Sequence, residues 1–211
     1  MHTSVQQALS LPKQKQKSKE WFKKRSECKL TASEFASALG RGSQSRNLLF
    51  QIKTGEKKKT DPFGKFVDHG TKWEPYVREE FMKRNNVQVY EFGCVTHAEM
   101  NPDGCTYLGG SPDGITEDGT LIEIKCPYTK EPEPIVPKKY MDQIQGLMWI
   151  FDLPKAIYIE FMPADPDYGQ EEKWEQVEVL RDLEWEIINI PLLVKFCDQV
   201  DIKKYGLKTR K

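Results

Sequence analysis

The chain has 211 residues, of which 38% are hydrophobic and 30% charged, a composition typical of one globular domain or at most two small ones. No apolar run approaches the roughly 20 residues needed to span a bilayer, and we expect neither a membrane segment nor a secretory signal peptide. The five cysteines include no C-x-x-C pair, which argues against a zinc site or a disulfide framework and favours a reducing, intracellular compartment.

The zero net charge hides an uneven distribution. Residues 1–60 carry 14 Lys or Arg but only 4 Asp or Glu, so the remainder is acidic. A basic segment suits a polyanionic partner, because its side chains neutralise phosphates and release counterions, although a solvated N-terminus has the same composition. We expect residues 1–19 to be a flexible basic lead-in and residues 20–211 to form a single domain.

Local patterns predict helices in the first half of the chain. Thr31 followed by Glu34 is a capping-box pattern, which opens a short helix that ends near Gly40. Residues 47–54 favour a second helix, and Gly55 is placed to stop it.

A longer helix is predicted around residue 77. Trp73, Val77 and Phe81 recur every four residues and therefore share one helix face. Pro75 predicts a kink or a helix start nearby.

Apolar and alternating segments predict a β-sheet. The predicted strands are residues 87–94, 107–116, 120–126, 156–162 and 174–180. Pro137 opens a helix between the third and fourth strands, and Asp182 opens a last helix that Pro191 should bend or divide. The first three strands form a meander, so the order predicts one mixed α/β domain with a largely antiparallel centre.

The main chemical signal is a hairpin that brings two acids and a lysine together. A three-residue loop ending in Gly119 pairs Asp113 with Glu123, whereas a two-residue loop would leave them diagonal. Lys125 lies two residues beyond Glu123 and therefore points to the same face. Because like charges directly opposite each other are destabilising, a divalent cation such as Mg²⁺, which prefers oxygen ligands, would stabilise the pair.

A solvent-exposed hairpin face with a Lys–Glu pair is the alternative, because the D…ExK pattern is short. Two neighbouring features favour the metal site. Residues 111–114 (SPDG) fix an irregular backbone around Asp113. Glu74, four residues after Gly70 on the predicted helix, would add a third carboxylate.

Several motifs in this order resemble the lambda exonuclease / YqaJ branch of the PD-(D/E)XK nucleases. They are Trp21…Arg25, LTASE at 30–34, Gly70-x-x-x-Glu74, SPDG at 111–114, EIKCP at 123–127 and YMDQIQ at 140–145. The resemblance implies a restriction-endonuclease-like core, in which helices flank a central mixed β-sheet. It also implies metal-dependent digestion of linear double-stranded DNA and, in many members, a homotrimer.

The resemblance assigns roles to the residues of the hairpin. Asp113 and Glu123 would hold Mg²⁺, with the main-chain carbonyl of Ile124 as a further ligand. Glu74 would bind a second ion, directly or through water, and Mn²⁺ suits the same oxygen ligands. Lys125 would orient the attacking water and help to deprotonate it.

The resemblance also indicates residues that would contact DNA. Arg25 and Ser33 match positions that grip the 5′-phosphate, a group that a guanidinium fork suits. Gln143 and Gln145 would hydrogen-bond the DNA backbone or the attacking water, and Thr31 is a further candidate contact. A generic basic-arm arginine and polar helix-edge glutamines are the alternative interpretations.

The predicted function is a Mg²⁺-dependent 5′–3′ exonuclease that digests one strand of linear duplex DNA from 5′-phosphorylated ends. It would serve recombination or repair by strand annealing, with a single-strand annealing protein as partner, and a viral, phage or prophage origin would place it in the cytoplasm or nucleus of a host cell. The alternatives are a structure-specific endonuclease of the same fold and a catalytically silent DNA-binding module. The intact Asp113, Glu123 and Lys125 argue against the silent module.

Overall fold

The structure, a computed structural model, describes residues 1–58, 64–165, 167 and 169–206. Its helices are α1 Thr3–Ser10, α2 Lys19–Glu27, α3 Phe35–Ala38, α4 Arg46–Thr54, α5 Gly64–Asn85, α6 His97–Met100, α7 Lys138–Phe151 and α8 Leu183–Tyr205. A 3₁₀ turn, Ala32–Glu34, precedes α3. The strands are β1 Leu30–Thr31, β2 Val89–Tyr90, β3 Val95–Thr96, β4 Leu108–Gly110, β5 Gly114–Thr116, β6 Thr120–Lys125, β7 Lys155–Met162 and β8 Lys173–Leu180.

These strands form a five-stranded and a three-stranded sheet. The larger has the order β2-β5-β6-β7-β8, in which β6 and β7 are parallel and the other neighbours antiparallel. Helix α7 connects β6 to β7, which is the crossover that parallel neighbours need. The smaller has the order β1-β4-β3, with β1 parallel to β4. Mixed sheets with helices around them confirm the predicted α/β class.

Strand β6 divides its side chains between the two faces of the larger sheet. Ile122 and Ile124 pack against Val77 of α5, so that helix turns its predicted apolar face to the sheet. Leu121 belongs to the main core on the opposite face. Because side chains alternate along a strand, Glu123 lies on this second face, toward α7, and so does the lysine two residues later.

The predicted three-strand meander was wrong in two places. The segment 107–116 is two strands in different sheets, separated at Pro112, which lacks the amide hydrogen that a continuous ladder needs. The segment 87–94 keeps only Val89–Tyr90 as a strand, and Val95–Thr96 pairs with β4 in the smaller sheet. The SPDG motif therefore lies in a break between the two sheets.

Residues 1–19, predicted to be a flexible lead-in, contain a packed helix instead. Val5 and Ala8 of α1 are buried against the main core, and their spacing of three places both on one helix face. The backbone amide of His2 donates to the carbonyl of Glu117 at 2.7 Å. Helix α1 is thus tied to the β5–β6 hairpin.

The two longest helices continue through a proline. Pro75 lies inside α5 and Pro191 inside α8, so neither residue begins or divides a helix. A proline in a helix interior loses one backbone hydrogen bond, but the turns that follow carry buried residues such as Val77 and Phe196. Among the described residues, no helix is both long enough and apolar enough to cross a membrane.

Helix α7 is fixed by a buried carboxylate. Asp142 is 3% exposed and accepts two hydrogen bonds from the Arg41 guanidinium, at 2.7 and 3.0 Å. The indole of Trp185 in α8 donates a third, at 2.8 Å. Because a buried charge needs such compensation, this network sets the position of α7 and of its neighbouring residues.

We predict that Gly146→Ala lowers the free energy of unfolding by about 1–3 kcal/mol, the range for overpacking a core. A methyl group at this position of α7 would overlap the buried ring of Phe35. Gly70→Ala is the matched control, because its methyl would meet open space in α5. Urea denaturation followed by circular dichroism measures both, and an equal loss in the two variants would contradict this packing.

Candidate active site

The register of the β5–β6 hairpin matches the prediction. Gly114 pairs with Ile122 and Ile115 with Leu121, so Asp113, the next residue along, faces Glu123. Gly119 has a φ of 86°, the left-handed conformation that a three-residue loop ending in glycine needs. The predicted pairing of the two acids is therefore confirmed as backbone geometry.

Asp113 is held in place from two sides. Its Oδ2 accepts a hydrogen bond of 2.7 Å from the amide of Ile124 in the partner strand. Arg78 of α5 donates to its main-chain carbonyl at 3.2 Å. Two residues earlier, the hydroxyl of Ser111 accepts a bond of 2.9 Å from the indole of Trp21. The loop that presents the carboxylate is thus anchored to β6, α5 and α2.

Glu123 is 1% exposed, and its two oxygens differ in their surroundings. Oε1 accepts a 2.5 Å hydrogen bond from the side-chain amide of Gln143 on α7 and contacts the Lys125 ammonium. Oε2 is buried and has no hydrogen-bond partner among the residues that the structure describes. A buried acceptor with no partner costs free energy, so this oxygen has the capacity to bind one more positive group.

Burial raises the proton affinity of both hairpin acids. Burial, and then the charge of Glu123, raises the pKa of Asp113 well above its ordinary value. Burial also raises the pKa of Glu123, against the opposing effect of Lys125. Burial alone would lower the pKa of Lys125, but the charges of Glu123 and Asp113 raise it instead. One ammonium thus faces two carboxylates, and the local charge is not balanced.

Glu74, the third acid of the predicted metal site, acts on the two hairpin acids through its charge. Its charge raises the pKa of both Asp113 and Glu123, yet its own carboxylate is ion-paired with Lys17 at 3.1 Å and with Arg78 at 3.8 Å. In the described part of the chain, no three His, Cys, Asp or Glu side chains lie close enough together to form a ready-made metal site. Each of the three carboxylates contacts a positive group or an N–H group instead.

These residues nevertheless fit a hard divalent cation. Such ions bind carboxylate oxygens, and the unpartnered Oε2 of Glu123 supplies one beside the Asp113 carboxylate. A cation here would offset the excess negative charge that raises both pKa values. The part assigned to the Ile124 carbonyl stays a prediction, because the contact seen here is made by its amide.

The predicted phosphate-binding residues lie together. Arg25 donates from Nη2 to the hydroxyls of Thr31 and Ser33, each at 3.2 Å, and its guanidinium lies 4.6 Å above the Trp21 ring. Arg25 and Thr31 border a cavity of about 370 Å³ that Lys53 also lines. Thr31 is only 3% exposed and its hydroxyl donates to Glu34, so in contrast to the prediction it positions this cluster instead of presenting a free hydroxyl.

A second cavity joins this cluster to the hairpin. Its volume is about 230 Å³, and its walls include Ser33, Lys139, Tyr140 and Gln143. Ser33 contacts Arg25, and the amide of Gln143 contacts Glu123. Ser33, which contacts Arg25, and Gln143, which contacts Glu123, therefore share the surface of one cavity.

Gln145 does not belong to this surface, in contrast to the prediction. It is 3% exposed, donates to the carbonyl of Leu180 at 2.9 Å and accepts from the amide of Asp182 at 2.9 Å. Residues two apart on a helix point in nearly opposite directions, so Gln143 and Gln145 cannot share the site. Gln145 instead fixes the junction between β8 and α8.

Two residues near the site were missed from the sequence. Tyr140 packs against the main core, and its ring lies 5.1 Å from the Lys125 ammonium. Its position three residues before Gln143, on the same helix face, was the available signal. Arg78 contacts the Asp113 loop and Glu74, and its place four residues after Glu74 could have indicated this.

We expect Asp113→Asn to stabilise the metal-free protein at neutral pH and above by about 1–3 kcal/mol, the range for a buried charged group without full compensation. A carboxyl whose pKa is raised by folding stabilises the native state while it is protonated, and this contribution is lost as the pH rises through the raised pKa. Metal-free wild type should therefore lose stability on going from acidic to neutral pH more steeply than the variant. Urea titrations in EDTA over a pH series test this, and equal slopes would contradict it.

The roles of Gln143 and Gln145 can be compared through the free energy of unfolding of one variant of each. Gln145→Met removes two hydrogen bonds to backbone groups and should lower the free energy of unfolding by about 1–3 kcal/mol. Gln143→Met should cost less than about 1 kcal/mol, because Lys125 still contacts the same oxygen of Glu123. Thermal or urea denaturation measures both, and a larger loss for Gln143→Met would reverse the assignment.

A known protein family matches more than half of the chain. Residues 20–154 match the YqaJ-like viral recombinase domain. An uncharacterized protein of Acanthamoeba polyphaga mimivirus is 27% identical over 177 residues, which cover 75% of this chain and 31% of that protein. The chain thus spans about a third of the length of this viral relative.

Solved structures support the fold. The alkaline exonuclease LHK-Exo of Laribacter hongkongensis matches with a TM-score of 0.70 and 22% identity, covering 90% of this chain and 95% of that one. Its complex with dAMP matches with a TM-score of 0.69 and 23% identity, over 90% and 96% of the two chains. A phage-related exonuclease of Haemophilus somnus 129PT has a TM-score of 0.61 and 13% identity, over 82% and 93%. Because the matched domain covers more than half of its residues, the chain belongs to the YqaJ-like viral recombinase family, in the lambda exonuclease branch of the PD-(D/E)XK nucleases.

Proposed function

We propose that the protein is a metal-dependent exonuclease that hydrolyses phosphodiester bonds from the 5′-phosphorylated ends of linear duplex DNA. One observation carries the proposal: Glu123, which faces Asp113 across the hairpin, has one carboxylate oxygen on Lys125 and Gln143 and a second, buried oxygen with no partner among the described residues. Two opposed acids followed by a lysine on the same strand face suit phosphate hydrolysis with a divalent cation. Membership of the YqaJ-like family supports the same activity.

Each side chain of the site would have a distinct role in hydrolysis. Asp113 and Glu123 would bind Mg²⁺, or Mn²⁺ in its place, and Glu74 a second ion; a bound cation supplies a water of lowered pKa and stabilises negative charge. The raised pKa of Lys125 keeps it protonated at neutral pH. Its ammonium would therefore offset charge on the phosphate oxygens and orient the attacking water. It would help to deprotonate that water only after it had lost its own proton. Gln143 would orient the carboxylate and the water.

The Arg25 cluster supports a preference for 5′-phosphate ends and a 5′–3′ direction. Arg25 and the Ser33 hydroxyl converge beside a cavity that Lys53 also borders, and a guanidinium binds phosphate with two parallel hydrogen bonds. The Laribacter exonuclease was solved in complex with dAMP, a mononucleotide. Release of such mononucleotides, one after another, is the product pattern that we propose here.

The proposed partners are DNA ends, a single-strand annealing protein and two further copies of this chain in a trimer. Exposed apolar side chains at the end of β8 and along the first half of α8 support contact between copies. They are Leu180, Leu183, Ile187, Ile188 and Leu192. The mimivirus relative and the family description support a role in viral recombination inside a host cell. Light scattering of the full chain measures the number of copies.

Replacement of Lys125 or of Asp113 should abolish cleavage. We expect Lys125→Ala and Asp113→Ala to reduce digestion of end-labelled linear duplex in Mg²⁺ by about 10³-fold or more, while DNA binding is retained. Glu117→Ala, an exposed acid in the same hairpin, is the control and should cleave like wild type. EDTA should stop the reaction. Turnover near wild type in either site variant would refute the assignment, and cutting of closed circular DNA would favour an endonuclease.

The cavity beside Arg25 leads to a separate prediction. Arg25→Ala should reduce the preference for 5′-phosphate over 5′-hydroxyl ends by about ten- to a hundredfold, because a charge-assisted bidentate contact contributes about 1.5–3 kcal/mol. Lys23→Ala, which removes an exposed charge from the same helix, should weaken binding to both ends equally. Competition between the two substrates measures the ratio, and an unchanged ratio in Arg25→Ala would exclude Arg25 from this role.

A further inference from the structure

The segment 11–18, between α1 and α2, is attached to the loop that carries Asp113. The side-chain amide of Gln16 donates to the carbonyl of Pro112 at 2.8 Å and to that of Phe92 at 3.0 Å. Ser18 caps α2, accepting from the amide of Trp21 at 3.2 Å. The residue between these two anchors is Lys17, so its backbone is held at both ends.

Lys17 adopts a backbone conformation that lysine rarely takes. Its φ is 66°, in the left-handed region that disfavours residues with a Cβ. Such strain persists only where the surroundings determine it, and it is concentrated at functional sites. The side chain is not buried, with 42% of its surface exposed, so core packing does not explain the conformation. Its ammonium lies 3.1 Å from Oε2 of Glu74.

Glu74 is the acid of the site that no hairpin residue compensates. Lys125 contacts Glu123, and the amide of Ile124 contacts Asp113. The charge of Glu74 acts on both hairpin acids and raises the pKa of each. Lys17, together with the more distant Arg78, therefore supplies the positive charge at this end of the cluster.

We propose that Lys17 is an internal counter-cation of the active site, which holds Glu74 and competes there with the second divalent cation. The inference rests on the proposed function, because it assigns Glu74 to that cation. A divalent ion and an ammonium 3.1 Å from the same carboxylate oxygen repel each other. Loading of the Glu74 position therefore requires Lys17 to leave it, whereas the Asp113–Glu123 position fills without this step.

Titration of the full chain with Mn²⁺ in the absence of DNA tests the competition, with electron paramagnetic resonance measuring free Mn²⁺. Lys17→Met should tighten the weaker of two binding steps by about three- to tenfold, since it removes one ion pair and one repelling charge. Lys17→Gln should act in the same direction. Lys15→Met removes the same charge from the same segment and should change neither step by more than about twofold. Lys17→Arg retains a cation and should resemble wild type.

A double variant separates competition from a structural role. In a Glu74→Gln background the ammonium has no carboxylate to hold, so adding Lys17→Met should no longer change Mn²⁺ affinity. Unchanged or weaker binding by Lys17→Met alone, or an equal effect in both backgrounds, would overturn the inference. If wild type binds Mn²⁺ and digests DNA while Lys17→Met binds like wild type, the inference fails and the proposed function stands. If wild type binds no Mn²⁺ at all, both fail.

Discussion

The antiparallel register of the β5–β6 hairpin is the constraint on which the rest of the site depends. A left-handed glycine at the end of a three-residue loop aligns the strands so that Asp113 faces Glu123. The same alternation that buries Ile122 and Ile124 on one face turns Glu123 to the other. The fold therefore buries Glu123, opposite Asp113, together with its aliphatic residues. The Lys125 ammonium contacts Glu123.

The elements around the hairpin position polar and charged side chains near Glu123. Helix α7 places Gln143 against Glu123 and is itself held by the Asp142–Arg41 ion pair. Arg25 reaches the same surface through the Ser33 hydroxyl, which borders a cavity shared with Gln143. The arginine proposed to bind phosphate thus lies near one end of this cavity surface and Glu123 near the other. This order suits a substrate that enters by its terminal phosphate.

Local sequence patterns predicted much of the fold. The capping box at Thr31 and Glu34, the stop at Gly55 and the helix after Pro137 were all confirmed. The hairpin register is that of a three-residue loop, one of the two loop lengths that the sequence left open. Each of these features depends on residues close together in the chain, where backbone preferences and side-chain spacing determine the outcome.

Features that depend on distant contacts were not predictable in the same way. The segment 107–116 is divided because its two strands belong to different sheets. No local sequence pattern indicates which sheet a strand joins. The amides of Gln143 and Gln145 look alike in the sequence, yet only packing against β8 shows that Gln145 is structural. The contact between Lys17 and Glu74 joins residues 57 positions apart, so a lysine-rich segment gave no sign of it.

The central claim is that the Asp113–Glu123 pair is built to hold a divalent cation, and one measurement tests it directly. Crystals of the protein soaked in Mn²⁺ should show an anomalous difference peak in contact with Oε2 of Glu123 and a carboxylate oxygen of Asp113. We predict that this peak has full occupancy at neutral pH. Mn²⁺ bound elsewhere on the chain, with Oε2 of Glu123 still without a partner, would contradict it.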